Sequence, residues 1–147
     1  MNYFDTSALI KRFVAEQGSD LVHTIMADRE YVATAKIAYA EVHAALARRH
    51  RDRDLSGGDY GRAYRQFENE WQGYVRVDLW EEVLMLARDL VRQHPLRGFD
   101  AIHLASAIRL QRELGEEIRF LAADARLLQV AQAERLSALN VETARRA

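Results

Sequence analysis

Four acidic side chains lie where an ordinary α/β protein has no structural need for them. Asp5 follows the strand-like run MNYF, and Asp124 follows the strand-like run IRFLAA. Asp100 opens the helical segment DAIHLASAIRL, and Glu41 lies within the helical segment KIAYAEVHAAL. The residues three and four positions from Glu41 are all apolar, so this carboxylate is predicted to share a helix face with them.

These acids have two interpretations, which differ in the chemistry they allow. Taken singly, Asp5, Asp100 and Asp124 suit helix N-caps, because aspartate accepts hydrogen bonds from free backbone N–H groups, and Glu41 could face solvent. Taken together, the four would form a cluster whose mutual repulsion raises their pKa values unless a cation neutralises it. Oxygen ligands without cysteine suit Mg²⁺ or Mn²⁺. Such a site is typical of phosphodiester hydrolysis by a metal-activated water.

The elements that must position these acids follow from the hydrophobic pattern. Strands are predicted at 1–4, 31–35, 75–79, 118–122 and 139–142, and helices at 7–16, 19–29, 36–50, 60–72, 80–93, 100–114 and 125–133. The polar, glycine-bearing segment 48–59 is predicted to form a turn or an exposed loop. This order predicts an α/β fold, a three-layer α/β/α arrangement with a mostly parallel central sheet. Asp5 and Asp124 would then meet at the carboxyl edge of the sheet if their strands are neighbours.

Composition limits the class of protein. With 147 residues, 49% of them hydrophobic and 29% charged, the chain is predicted to form a single domain over residues 1–147. The absence of cysteine excludes disulfides and thiolate chemistry and favours a cytoplasmic location. No apolar run is long enough for a membrane helix, and the first residues lack the features of a signal peptide. A net charge of −1 argues against binding nucleic acid by bulk attraction.

Four short motifs, in this order, resemble those of one protein family. They are FDTSAL at 4–9, AEVHAAL at 40–46, FDAIHLASA at 99–107 and FLAAD at 120–124. Together they span nearly the whole chain and resemble the PIN-domain family, and within it the VapC-type ribonuclease toxins of toxin–antitoxin pairs. The resemblance implies a PIN-like fold and an acidic metal site formed by Asp5, Glu41, Asp100 and Asp124. Many members carry threonine two residues before the last of these acids, where this chain has Ala122.

Several neighbouring side chains are candidates for auxiliary roles. The family's hydroxyl after the first acid corresponds to Thr6, with Ser7 beside it. His103 shares a predicted helix face with the third acid, so it is a candidate metal ligand or proton donor, or a packed histidine bonded to a neighbouring carbonyl. Lys11 and Arg12 lie on the helix that follows the first acid and are candidate RNA contacts, with solvated surface charge as the alternative.

The resulting hypothesis is a metal-dependent endoribonuclease that acts as a toxin, with tRNA among the candidate substrates. Hydrolysis by a metal-activated water would leave 3′-hydroxyl and 5′-phosphate ends. No His–His or His–Lys pair suited to attack by the 2′-hydroxyl is visible in the sequence. The resemblance also implies a homodimer and a small antitoxin protein that directs a basic side chain toward the acids. The apolar helix 80–93 and an aromatic stripe at 60–71 are the predicted sources of dimer surface.

Three alternatives remain open. A receiver-type phosphoacceptor domain would need an acidic pair near its first strand and a lysine after a late strand. The only lysines here are Lys11 and Lys36, and neither follows a late strand. A non-enzymatic PIN-like binding module would carry the same acids without using them. A DNA nuclease would apply the same metal chemistry to another substrate.

Overall fold

A computed structural model describes residues 1–144 as a five-stranded parallel sheet with helices on both faces. The strands are β1 Asn2–Phe4, β2 Val32–Ala35, β3 Val75–Val77, β4 Arg119–Ala122 and β5 Ser137–Asn140. The helices are α1 Thr6–Leu9, α2 Ser19–Ala27, α3 Ile37–Arg51, α4 Gly57–Trp71, α5 Glu81–Gln93, α6 Gly98–Leu114 and α7 Ala125–Ala133. A short 3₁₀ helix, Ile10–Arg12, continues α1. The predicted fold class and the order of the elements are confirmed.

Alternating side chains of the sheet build two cores, one on each face. In β1, Tyr3 packs with the core that includes α5, α6 and α7, whereas Phe4 packs with the core that includes α1 to α4. In β4, Phe120 joins the first core and Leu121 the second. All four side chains are fully buried. Burying an apolar side chain of this size contributes about 1.5–3 kcal/mol, so both faces of the sheet hold their helices firmly.

The strand order brings three strand ends together at one edge of the sheet. The order is β3-β2-β1-β4-β5, so β1 lies between β2 and β4. Phe4 pairs with Leu121, and the Asp5 N–H donates to the Leu121 carbonyl at 3.1 Å. The strands before Asp5 and Asp124 are therefore neighbours, as the placement of these acids at one edge requires. Glu41 is carried to the same edge by α3, which starts directly after β2.

Two helix boundaries differ from the predicted ones by three residues or more, because local hydrogen bonds decide them. The predicted helix 7–16 ends as a 3₁₀ helix at Arg12, since the N–H groups of Phe13 and Val14 both bond to the Ile10 carbonyl. Helix α4 begins at 57 instead of 60, because the Ser56 hydroxyl accepts from the backbone N–H of the third helical residue at 3.1 Å. Part of the predicted loop 48–59 is therefore helical.

The last strand lies two residues before its predicted position. It was predicted at 139–142 and is found at Ser137–Asn140. All four of its residues pair in register with the four residues of β4. The length and position of β4 therefore set the bounds of β5. A local sequence pattern carries no information about this pairing. No helix within residues 1–144 is both long and apolar enough to cross a membrane.

Candidate active site

Asp5 caps the helix that follows β1. Its Oδ1 accepts from the backbone N–H of Ala8 at 2.9 Å and from the Ser7 hydroxyl at 2.7 Å. The Ser7 hydroxyl in turn accepts from the Ala123 N–H at 3.0 Å, which ties this turn to the loop after β4. Burial raises the pKa of Asp5 from 3.8 to about 6, although His103, when it is protonated, and these hydrogen bonds act in the opposite direction. The capping interpretation of this residue is therefore correct, and metal ligation stays a prediction.

Glu41 forms a compact hydrogen-bonded group with Thr6 and His103. Its Oε1 accepts from the Thr6 hydroxyl at 2.7 Å and lies 2.8 Å from His103 Nε2, and Thr6 Oγ1 is 3.1 Å from the same nitrogen. The other ring nitrogen, Nδ1, lies 2.9 Å from the Tyr3 hydroxyl. Partial burial opposes ionisation, but the hydrogen bonds from His103 and Thr6 lower the pKa of Glu41. His103 is a packed histidine, but its partners are a carboxylate and two hydroxyls instead of the predicted carbonyl.

Glu41 lies on the flank of α3 and not on its buried face. That face is formed by Ala38, Val42 and Leu46, which are spaced four residues apart and fully buried. The Glu41 side chain is 29% exposed. Of the apolar neighbours that the sequence placed beside Glu41, Ala38 is fully buried, whereas Ala44 is exposed. Glu41 therefore borders the buried face, and its carboxylate stays in contact with solvent.

Asp100 and Asp124 line one pocket of about 360 Å³ beside the first turns of α6 and α7. Asp100 is the third residue of α6, and the N-cap position belongs to Arg97, which makes no capping bond with its side chain. Asp124 caps α7, because its Oδ1 accepts from the backbone N–H groups of Arg126 and Leu127 at 2.9 and 3.2 Å. Partial burial and the Asp124 charge raise the pKa of Asp100. Capping is therefore the wrong interpretation for Asp100 and the correct one for Asp124.

The four acids influence one another through space. The charges of Asp124 and Glu41 both raise the pKa of Asp100, and the charge of Asp100 raises the pKa of Asp5. His103, when it is protonated, lowers the pKa of both Asp5 and Asp100. A cation at this edge of the sheet would therefore relieve repulsion that the protein's own groups compensate only in part.

Three of the acids share one bonding pattern. In each, two protein donors bond to a single carboxylate oxygen: Oδ1 of Asp5, Oε1 of Glu41 and Oδ1 of Asp124. Within residues 1–144, the second oxygen of each group accepts no hydrogen bond from the protein. No buried side-chain oxygen or nitrogen in that range lacks a partner, so the second oxygen of the buried Asp5 must reach solvent. Each of these carboxylates is held in place through one oxygen, and its other oxygen is available to bind a cation.

The donor set suits a hard divalent cation, although the side chains are not gathered around one point. Among the described residues, no group of three His, Asp or Glu side chains is arranged to hold a metal ion as the side chains stand. The chemistry of the donors nevertheless fits Mg²⁺ or Mn²⁺, because free carboxylate oxygens are the ligands these ions prefer. Asp5, Glu41, Asp100 and Asp124 are the residues that could hold such an ion.

The two basic residues predicted to contact RNA are paired with acids. Lys11 is 3% exposed, and its ammonium lies 3.0 Å from Glu16 and 2.7 Å from Glu142. A buried ammonium held by two carboxylates is poorly placed to bind an RNA phosphate, and Lys11 is not a solvated surface charge. Arg12 is 28% exposed and donates from Nε and Nη2 to Glu70, which raises the pKa of the guanidinium.

The aromatic stripe on α4 belongs mainly to the core. Phe67 and Trp71 are buried, and Tyr64 is the member with a substantial exposed fraction, 44%. His43 pairs with Glu68 at 2.7 Å and packs against these rings. This surface therefore offers less apolar area to a second chain than the sequence predicted.

Sequence reasoning missed Tyr3, whose hydroxyl contacts the imidazole of the site. Its ring is fully buried and stacks on Phe120 with centroids 5.4 Å apart. Burial raises the pKa of Tyr3 well above its ordinary value, so the hydroxyl keeps its hydrogen. The available signal was a tyrosine within a buried strand, because a buried phenol needs a hydrogen-bond partner. Nothing in the sequence showed that the partner lies 100 residues away.

Comparison with known proteins gives consistent matches. Residues 3–133 match the PIN domain family. Ribonuclease VapC45 of Mycobacterium tuberculosis (strain CDC 1551 / Oshkosh) is 40% identical over 106 residues, which are 72% of this chain and 74% of that protein. Ribonuclease VapC46 of strain H37Rv is 35% identical over 113 residues, 77% of this chain and 78% of the relative. A solved toxin–antitoxin complex from Klebsiella pneumoniae matches with a TM-score of 0.67 at 16% identity, covering 96% of this chain and 98% of the other, which shows a shared fold.

Proposed function

This chain belongs to the PIN domain family, and on that basis we propose that it is a VapC-type toxin, an endoribonuclease that depends on Mg²⁺ or Mn²⁺ and acts in the cytoplasm. Two relatives with 40% and 35% identity are named ribonucleases. The family match, over residues 3–133, covers all four motifs that carry the acids. RNA hydrolysis is therefore the activity that the relatives support, and metal dependence is inferred from the acids.

One structural observation carries the proposal of a metal site. Three carboxylates at the same edge of the sheet are each held by one oxygen, and the second oxygen is left without a protein partner. Burial and the neighbouring negative charges raise the pKa of Asp5 and Asp100, so they destabilise the ionised carboxylates. A role as a helix cap alone does not explain why these acids lie so close to one another. Repulsion of this kind is offset when a cation binds, as in sites that perform phosphodiester hydrolysis.

The residues of the site would then have distinct roles. Asp5, Glu41, Asp100 and Asp124 would hold the ion, which supplies an activated water and stabilises charge at the phosphate. Ser7 restrains Asp5, and the Thr6 hydroxyl restrains Glu41, so both carboxylates are oriented before an ion arrives. Attack by water on phosphorus, with the 3′ oxygen leaving, gives 3′-hydroxyl and 5′-phosphate ends.

The proposed partners are an antitoxin protein and a second copy of the chain. The support for a dimer is the outer face of α5, where Leu84, Met85 and Val91 are 38%, 51% and 40% exposed, with Trp80 just before the helix 49% exposed. An antitoxin would cover the acids with a basic side chain, which would neutralise them much as a cation does. The neighbouring reading frame's product should therefore co-purify with this chain, and its failure to do so would contradict the antitoxin proposal.

A cleavage assay tests the proposed activity. Total RNA, tRNA and single-stranded DNA of matched length are each incubated with the protein in Mg²⁺, in Mn²⁺ and in excess EDTA. We expect RNA fragments with 5′-phosphate ends in the two metal arms and none in EDTA. Cleavage that persists in EDTA would contradict the metal requirement. Cleavage of DNA alone would support the DNA nuclease, and RNA binding without cleavage would support the catalytically silent binding module.

A further inference from the structure

The imidazole of His103 sits between a phenol and a carboxylate in a chain of hydrogen bonds. His103 is 2% exposed, and both ring nitrogens have partners. Nδ1 lies 2.9 Å from the Tyr3 hydroxyl, and Nε2 lies 2.8 Å from Glu41 Oε1 and 3.1 Å from Thr6 Oγ1. The ring is further held edge-on to Tyr3, with centroids 5.9 Å apart. Both nitrogens are thus used by protein groups.

The hydrogen atoms of this chain can be placed from the chemistry of its members. A carboxylate can only accept, so the short contact to Glu41 requires a hydrogen on Nε2. The Thr6 hydroxyl has one hydrogen, which it donates to the same carboxylate oxygen. In a neutral imidazole Nδ1 is then an acceptor, and the Tyr3 O–H is the donor that matches it. Tyr3 therefore favours the one tautomer in which His103 can donate to Glu41.

From this geometry we infer that Tyr3 and His103 are positioning residues for the proposed metal site, and that His103 is neither a metal ligand nor the acid that protonates the leaving group. Tyr3 locks the tautomer of His103, and His103 with Thr6 fixes Oε1 of Glu41, which reserves Oε2 for the cation. Buried groups that bond to metal-binding carboxylates typically change metal affinity or activity by about 10- to 100-fold when replaced. The inference rests on the proposed function, because it concerns the ion that Glu41 would hold.

A pair of substitutions at His103 separates these roles. Glutamine places an N–H close to the position of Nε2, whereas asparagine places its polar atoms near Nδ1 and cannot reach Glu41. A positioning residue should be rescued by His103→Gln, but a metal ligand or a proton donor should not. Tyr3→Phe removes only the hydroxyl and keeps the ring stacked on Phe120. His94→Asn is the matched control, because His94 bonds Glu134 through Nε2 at 2.9 Å in a pair outside the site.

The readout is Mn²⁺ affinity, measured from the electron paramagnetic resonance signal of free Mn²⁺, with urea unfolding of each variant to verify that it is folded. We expect His103→Asn to weaken binding about 10- to 100-fold, Tyr3→Phe about tenfold, and His103→Gln less than about threefold. In the His103→Gln background, Tyr3→Phe should add almost nothing, because an amide has no tautomer to lock. The control should bind Mn²⁺ like the parent.

Each other outcome has a defined meaning. If His103→Gln binds Mn²⁺ as poorly as His103→Asn, His103 is itself a ligand and the inference is overturned. If the parent binds Mn²⁺ and all variants bind it equally well, the inference is overturned while the proposed function stands. If the parent binds no Mn²⁺ and cleaves RNA equally in EDTA, the proposed metal dependence fails, and the inference fails with it. RNA cleavage by the variants should follow their Mn²⁺ affinity and recover at saturating Mn²⁺, whereas loss of a proton donor would persist.

Discussion

Replacing Asp5 with asparagine should stabilise the metal-free protein at neutral pH, although Asp5 caps α1. Asparagine caps a helix about as well as aspartate, so the bonds from Ser7 and the Ala8 N–H are kept. The substitution removes a buried charge from a side chain that is 4% exposed. Burial raises the pKa of Asp5 from 3.8 to about 6. At about 1.4 kcal/mol for each pH unit, the ionised group therefore costs about 3 kcal/mol of folding free energy.

The direction of the pH dependence follows from the raised pKa. The folded state binds the Asp5 proton more tightly than the unfolded state, so the favourable contribution is complete below a pH of 3.8 and is lost as the pH rises through about 6. Asparagine does not titrate. The parent and Asp5→Asn should therefore unfold with similar free energies near pH 4, and the variant should be more stable by up to about 3 kcal/mol near pH 8.

Urea unfolding in EDTA across this pH range measures the effect. Asp124→Asn is the matched control, because Asp124 is also an N-cap aspartate but is exposed, and its replacement should change the free energy of unfolding by less than about 0.5 kcal/mol. A variant at Asp5 that is less stable than the parent near pH 8 would refute the reasoning. A stability difference independent of pH would refute it as well, because the cap and not the charge would then dominate.

Three further predictions concern the metal, a buried ion pair and the dimer. Millimolar Mn²⁺ should raise the thermal midpoint of the parent in scanning calorimetry, and Asp100→Asn should abolish most of this increase. A parent midpoint that Mn²⁺ does not change would contradict a metal site. Lys11→Ala should lower the free energy of unfolding by about 2–3 kcal/mol, because two partly buried carboxylates lose their partner. Lys36→Ala, which breaks an exposed pair with Asp78, should cost less than about 1 kcal/mol in the same urea titration, and equal losses would contradict the burial argument. Light scattering at tens of micromolar should give a dimer that Met85→Asp dissociates, and a strictly monomeric parent would count against the α5 interface.

The fold was predictable because most elements carry their own local signals. Helix α7 has the predicted bounds, and Gly115, with φ of 66°, ends α6 where a left-handed residue is favoured. The boundaries that failed depend on other parts of the chain. The position of β5 is set by pairing with β4, and the early end of α1 is set by two N–H groups sharing one carbonyl. Such bonds are decided by packing that a local pattern does not describe.

The acids of the site were predictable, but their partners were not. The alternation of elements predicts a parallel sheet, so the sequence placed Asp5 and Asp124 at its carboxyl edge, but only the structure shows that their strands are neighbours. The Tyr3–His103 contact joins residues 100 positions apart, and the Lys11–Glu142 pair joins residues 131 positions apart. A lysine on the first helix is usually solvated, and only the tertiary structure shows that this one is buried between two acids. Hydrogen-bond partners of this kind depend on the full packing of the chain.

The proposal that these acids bind a catalytic metal is tested most directly by the rate at which Asp5→Asn cleaves RNA. The rate is measured in saturating Mg²⁺ or Mn²⁺ on an RNA that the parent cuts, with the folded fraction of each protein verified by urea unfolding. If Asp5 is a ligand as well as a cap, losing its charge removes stabilisation of the transition state, and cleavage should fall by about two orders of magnitude or more. The fold should be unaffected, because asparagine preserves the cap. If Asp5→Asn cuts RNA as fast as the parent, Asp5 serves only as a helix cap and the metal-dependent mechanism is wrong.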